Sequence, residues 1–219
     1  MDVVIARRFR GPAESGNGGY SAGLIAEAAG GGERVVTLRL PPPLEHPLHV
    51  QDGAATSGDA LVAEVERARV EVEAPGPVSW EAAAAAEHPD RSSPFPECFV
   101  CGYARGLDAL HIHAAPVSGT DVVAATWAVR EDTVGPEFVW AALDCPGAYA
   151  VMATRRGTVV LGRLAVRIDR VPAAGERCVV VGRAIASDGR KHGAATALYT
   201  AAGELLAVGE ATWIEPRTL

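Results

Sequence analysis

The chain of 219 residues is poor in several residue types, and each scarcity excludes something. It has one lysine, Lys191, so its other basic residues are all arginine, and its 20 basic residues are outnumbered by 27 acidic ones. A net charge of −7 lacks the global basic footprint of a nucleic-acid binder. Four cysteines, at 98, 101, 145 and 178, are too few and too scattered for a disulfide framework. No apolar run approaches the roughly 18 residues of a membrane helix. The opening Met1-Asp-Val-Val-Ile-Ala-Arg-Arg8 places an acid before a short apolar stretch and arginines after it, the reverse of a secretory signal. The expectation is a cytoplasmic protein that binds neither nucleic acid nor membrane. Hydrophobic residues at 48% and charged ones at 21% are ordinary for a globular chain with a substantial core.

Breaker residues locate a seam. Pro75-Gly-Pro77 ends a strand-like run, Glu81–Glu87 is an alanine-rich short helix, and His88 to Pro96 is a breaker-rich stretch that reads as linker. Residues 1–75 then form one unit, 76–97 the linker and 98–219 a second unit. In the first unit Val3–Ala6 reads as a strand. Gly16-Asn-Gly-Gly-Tyr20 follows as a glycine turn, then Ser21–Ala29 as a small-residue helix stopped by Gly30-Gly-Gly32. Strands are expected at Val35–Leu40, His46–Gln51, Leu61–Glu66 and Ala68–Ala74. In the second unit Ala109–His113 alternates with period two, and Asp121–Val129 reads as another strand. A helix is expected over Glu137–Ala153. Four strands then run over Thr158–Asp169, Arg177–Ala186, Ala194–Thr200 and Leu205–Ile214. Val36-Thr-Leu-Arg39-Leu40 echoes Leu164-Ala-Val-Arg167-Ile168 in the same relative place, which suggests duplication of an α+β pattern.

The second unit resembles the hotdog-fold acyl-CoA thioesterases of the phenylacetate-pathway type. The resemblance is carried by Cys98-Phe-Val-Cys-Gly102 before Gly106-Leu107, Val139-Trp-Ala-Ala-Leu-Asp144, Leu161–Ile168 and Gly203–Gly209. The first unit looks like a shortened copy, through Asn17–Ala26 and Val36–Leu40. The implied fold is α+β, two tandem hotdog units, each an antiparallel sheet wrapped around a central helix. The implied substrate is an acyl-CoA or acyl-carrier thioester, with no cofactor, and the implied assembly is a dimer of the fused chain.

Family members carry a His-Gly-Gly turn at the start of the central helix and an acid eight residues after its first glycine. The first unit has Asn17-Gly18-Gly19 but Ala26 at the acid position; the second has Asp144 but Gly135-Pro136-Glu137 at the turn. Eight helical residues rise about 12 Å, too far for one carbonyl to touch both ends of one helix. Turn and acid must therefore meet across two antiparallel helices, and only one complete pair is needed. Gly18, helped by Gly19, would donate main-chain N–H groups to the thioester oxygen. Asp144 would activate water or attack the carbonyl itself. The alternatives are an N-cap role for Asp144 before Pro146, and a simple positive-φ turn at Asn17–Gly19.

Tyr20 and Trp140 are candidates for contact with the acyl group. For the coenzyme phosphates, Arg190-Lys191-His192 is the best basic cluster and Arg155-Arg156 the second. The Cys98/Cys101 pair reads as two thiols around a tight turn, because no second pair at metal spacing accompanies it; no metal site is expected. His46-Pro-Leu-His49 resembles a hydratase signature, but Leu44 stands where that signature needs an Asp. A protein that binds acyl-CoA or another apolar ligand without turning it over is the stronger competitor.

Overall fold

The computed structural model describes residues 1–86, 88–154 and 157–217. After a short strand β1 (Asp2–Val4) comes helix α1 (Gly18–Ala28), followed by β2 (Arg34–Leu38), β3 (Pro47–Gln51), β4 (Ala54–Ser57) and β5 (Ala60–Arg67). Helix α2 (Trp80–Ala86) leads to β6 (Ala115–Pro116) and β7 (Val123–Ala128). Helix α3 (Pro136–Ala153) then precedes β8 (Val160–Ile168), β9 (Arg177–Asp188), β10 (Lys191–Thr200) and β11 (Leu205–Ile214).

All eleven strands form one antiparallel sheet in the order β1-β3-β4-β5-β2-β8-β11-β10-β9-β7-β6. The same connectivity occurs twice. In each half the strand after the helix lies at the junction, the fourth strand beside it, then the third and second, and last the strand that precedes the helix. This is the hotdog arrangement, α+β, in tandem. The junction is the β2–β8 ladder, where Val36 pairs with Leu164. Those two residues hold equivalent places in the sequence echo, so a local two-fold relates the halves, as in an isologous dimer interface.

The central helices are apolar nearly all round, the pattern of helices enclosed by a sheet. They run antiparallel and touch through glycine. A Cβ on Gly19 would lie 2.4 Å from Asp144 Cβ and 2.6 Å from the Trp140 carbonyl oxygen; one on Gly23 would lie 2.7 Å from Trp140 Cβ. Any larger side chain at 19 or 23 would push the helices apart. Phe9, Tyr20, Phe99 and Phe138 close one end of this interface, with Phe9 stacked on Tyr20 at 4.0 Å.

Three expectations need correction. Ala68–Ala74 alternates but forms no strand: it crosses the outer face of the sheet, where Val70 packs on Val35, Ala165 and Val208. Its period-two pattern reflects one buried face without a ladder. The missing strand is β4, too poor in apolar residues to announce itself between its turns. Ala109–His113 likewise forms no sheet strand, because its Leu110 and Ile112 N–H groups donate to Phe99 and Val100 carbonyls in the cysteine loop. Third, Gly18 and Gly19 have negative φ and open α1, so the positive-φ turn at Asn17–Gly19 is excluded. The segment 76–97 is ordered where described: Ala83 of α2 is buried on β7, β9 and β10, and the Arg177 guanidinium lies 3.9 Å over the Trp80 ring. Among the described residues, no helix is long and apolar enough to cross a membrane.

Candidate functional site

Asn17 caps α1: its Oδ1 accepts the Tyr20 N–H at 2.9 Å, the expected use of an Asn at this position. That leaves its Nδ2 pointing away from the helix, where it donates to Asp144 Oδ2 at 2.8 Å. The Gly19 N–H donates to the same oxygen at 3.0 Å. Asp144 is the ninth residue of α3, not an N-cap; α3 begins at Pro136 after Gly135 and continues through Pro146. The N-cap reading of Asp144 is thereby excluded.

Asp144 is 2% exposed, and its other oxygen, Oδ1, has no hydrogen-bond partner among the described residues. Burial pushes its pKa up to about 7, with Cys98 adding to the rise, against the lowering by the Gly19 N–H and Asn17. The two donors on Oδ2 offset part of the cost of burying the carboxylate and fix its orientation. The first N–H of α1, on Gly18, has no partner among the described residues, as the helix geometry requires.

Asn17, Gly18 and Asp144 line one cavity of about 820 Å³. Its wall continues through Leu38, Phe95, Tyr149, Leu161 and Trp213, so it is mainly apolar. Cys98, Cys101 and Cys145 also line it, with Cys98 Sγ 3.8 Å from Cys145 Sγ. Hydrogen bonding by the other two thiols holds the Cys98 thiol well below the usual cysteine range, and the Cys101 and Val100 main-chain N–H groups add to the effect. Spacing alone could not bring Cys145 to the Cys98/Cys101 pair, because it arrives on a different element. The adjacency of Cys145 to Asp144 was the one available signal.

Other expected residues fall elsewhere. Tyr20 and Trp140 are core residues that do not line the cavity: Tyr20 lies in the aromatic cluster and Trp140 under Gly23. Arg190, Lys191 and His192 sit at the β9–β10 hairpin, beside Ile214 on the cavity wall but outside its lining. There the Arg190 guanidinium donates to the Glu215 carbonyl, and His192 is buried against Ser187 and Glu215. Arg155 and Arg156 lie outside the described residues. Among the described lining residues, the permanently charged cation is Arg39, paired with Glu64. His49 is exposed on β3 between Asp2 and Gln51 and does not line this cavity.

No family model matches the chain, and no curated protein matches it. Solved structures do. A conserved hot dog-fold protein of unknown function from Alicyclobacillus acidocaldarius superposes with a TM-score of 0.65 at 12% identity, covering 100% of this chain and 93% of that one. A protein from Novosphingobium aromaticivorans with a provisional thioesterase assignment gives 0.60 at 16%, covering 98% and 94%. The TesB protein of Mycobacterium avium subspecies paratuberculosis gives 0.58 at 16%, covering 94% and 89%. The fold is therefore the hotdog fold along the whole chain.

Proposed function

We propose that the chain hydrolyses acyl thioesters of coenzyme A or an acyl carrier at one composite site. The observation that carries this reading is Asp144: a buried carboxylate clamped through Oδ2, its buried Oδ1 unpartnered among the described residues, in a residue that lines an apolar cavity together with Gly18 and its free N–H. The acyl chain lies along the apolar wall. The thioester oxygen accepts from Gly18 at the positive end of α1, where developing negative charge is stabilised. Oδ1 takes a proton from a water whose oxygen bonds to the carbonyl carbon. The carbon–sulfur bond then breaks, and the proton passes to the departing thiolate, leaving a carboxylic acid and a free thiol. Gly19, expected as a second donor to the substrate, instead orients Asp144, and Asn17 does the same. Two solved neighbours along the full chain, one with a thioesterase name and one named TesB, support this reading, as does the placement of α1 and α3 on either side of the site. The units 1–75 and 98–219 about the linker 76–97 are part of the proposal.

The test is release of free thiol from a panel of acyl-CoAs. Asp144→Asn should lower turnover by about 10²–10⁴-fold, the usual worth of a positioned general base, with the fold unchanged by circular dichroism. Saturable acyl-CoA binding without thiol release by the unaltered protein would sink the hydrolytic reading and leave a binding protein.

A further inference from the structure

The cysteines beside this site are not used by the hydrolysis just described. Cys98, Cys101 and Cys145 place their sulfur atoms within 4.8 Å of one another, all buried, from two separate elements. We propose that they form a three-thiolate site for a thiophilic divalent cation of the zinc class, with the fourth position facing the cavity.

Geometry carries the assignment. A tetrahedral ion with sulfur ligands at about 2.3 Å requires sulfur–sulfur separations of about 3.8 Å. Cys98 and Cys145 stand at 3.8 Å, far beyond a disulfide and on the edge length of such a tetrahedron. The loop is built to hold metal-bound sulfur. Cys98-Phe-Val-Cys101-Gly102 is a tight turn closed by the Gly102 N–H on the Cys98 carbonyl at 2.8 Å. A Cβ on Gly102 would lie 2.5–2.6 Å from Cys98 N, Cys98 O and Pro96 O, so only glycine fits. Phe99, buried in the aromatic cluster, anchors the loop. The Asn17 Nδ2 group lies 3.7 Å from Cys98 Sγ and 4.0 Å from Cys145 Sγ, a donor facing sulfur as the outer shell of a thiolate site requires. Three protein ligands with the remaining side on a cavity is the coordination of a site open to an exogenous ligand. Binding displaces the thiol protons to solvent.

The inference is independent of hydrolysis, and its readout is metal uptake. The reduced full-length protein is loaded with Zn2+, desalted and analysed for metal, and in parallel titrated with Co2+. Retention of one Zn2+ per chain is expected, with intense sulfur-to-cobalt charge-transfer absorption of four-coordinate Co2+. Cys178, buried on β9 outside the cluster, serves as the control position. Cys145→Ser should weaken Zn2+ binding at least as much as the roughly 10–100-fold that even an outer-shell partner is worth, while Cys178→Ser should not change it. Should Cys145→Ser fail to fold, the Co2+ spectrum of the unaltered protein decides alone. Negligible Zn2+ retention, a Co2+ spectrum without sulfur charge transfer, or undiminished binding by folded Cys145→Ser would each overturn the proposal. Loss of thioester hydrolysis in Asp144→Asn bears on none of these outcomes.

Discussion

The two ends of the helix pair are related by the local two-fold, and they differ in every group that matters for chemistry. At one end α1 begins with Asn17-Gly18-Gly19, opposite Asp144 of α3, and a cavity of about 820 Å³ opens beside them. At the other, α3 begins with Gly135-Pro136-Glu137, and the ninth residue of α1 is Ala26 where the ninth of α3 is Asp144. A smaller hollow of about 310 Å³ remains there, lined by Glu27, Glu33, Pro136 and Arg167 among others. Pro136 has no N–H to offer at the position of Gly18, and Glu137 brings a negative side chain where Gly19 has none. A hotdog pair formed by one sequence repeated must keep both ends alike. A fused chain is free of that constraint, so one end can hold a desolvated acid while the other has neither the acid nor the free helix-start N–H.

The largest effect is expected from making the first end resemble the second. Gly18→Pro suits the first helical position, but its Cβ would lie 2.9 Å from Leu161 Cβ and Cδ2, so a loss of about 1–3 kcal/mol in stability is expected. It should lower thioester turnover by about 10²–10³-fold, the worth of one oxyanion donor. Steady-state thiol release beside a urea unfolding curve checks both; unchanged turnover would mean that the Gly18 N–H does not touch substrate. The converse change, Ala26→Asp, places an acid where no helix-start donor awaits it. We expect a loss of about 1–3 kcal/mol in unfolding free energy, partly recovered by adding Pro136→Gly and Glu137→Gly. A costless Ala26→Asp would show that donors are not what distinguishes the ends.

The smallest effect concerns pH at the silent end. Burial, and then Glu137, raise the pKa of Glu27 above its ordinary value. A raised carboxyl pKa favours the folded state most below the unfolded value of about 4.5, and that contribution disappears as pH rises through the folded value. Glu137→Gln should therefore reduce the stability lost between about pH 4 and pH 8. Glu27 is largely exposed, so the change should be only a few tenths of a kcal/mol by comparison of urea midpoints. A larger loss of stability at high pH in the variant would reverse the assignment.

Much of the fold was legible in the chain because it is written in local patterns. The two small-residue helices, the strands of the second half and the Val36/Leu164 echo depend on periodicity and breakers, which act over a few residues. The failures came where a pattern has two physical causes. Ala68–Ala74 alternates because one face is buried, and alternation does not say whether a neighbouring strand supplies hydrogen bonds. At the site, the complementary defects of the two halves were readable by counting along each helix. The division of labour among the amides was not: Gly18 and Gly19 are identical in sequence, and only packing against α3 turns one toward a carboxylate and leaves the other on the cavity.

By itself the amino-acid order determined the two central helices and most of the strands, and that the amide turn and the acid belong to different halves. The close approach of α1 to α3 across Gly19 and Gly23 decided the rest, because contact across a helix interface depends on three-dimensional register rather than spacing along the chain. That register removed Tyr20 and Trp140 from the cavity, gave Asn17 a carboxylate to hold, and carried Cys145 to the two sulfur atoms of a loop 44 residues away from it in sequence at its nearer cysteine.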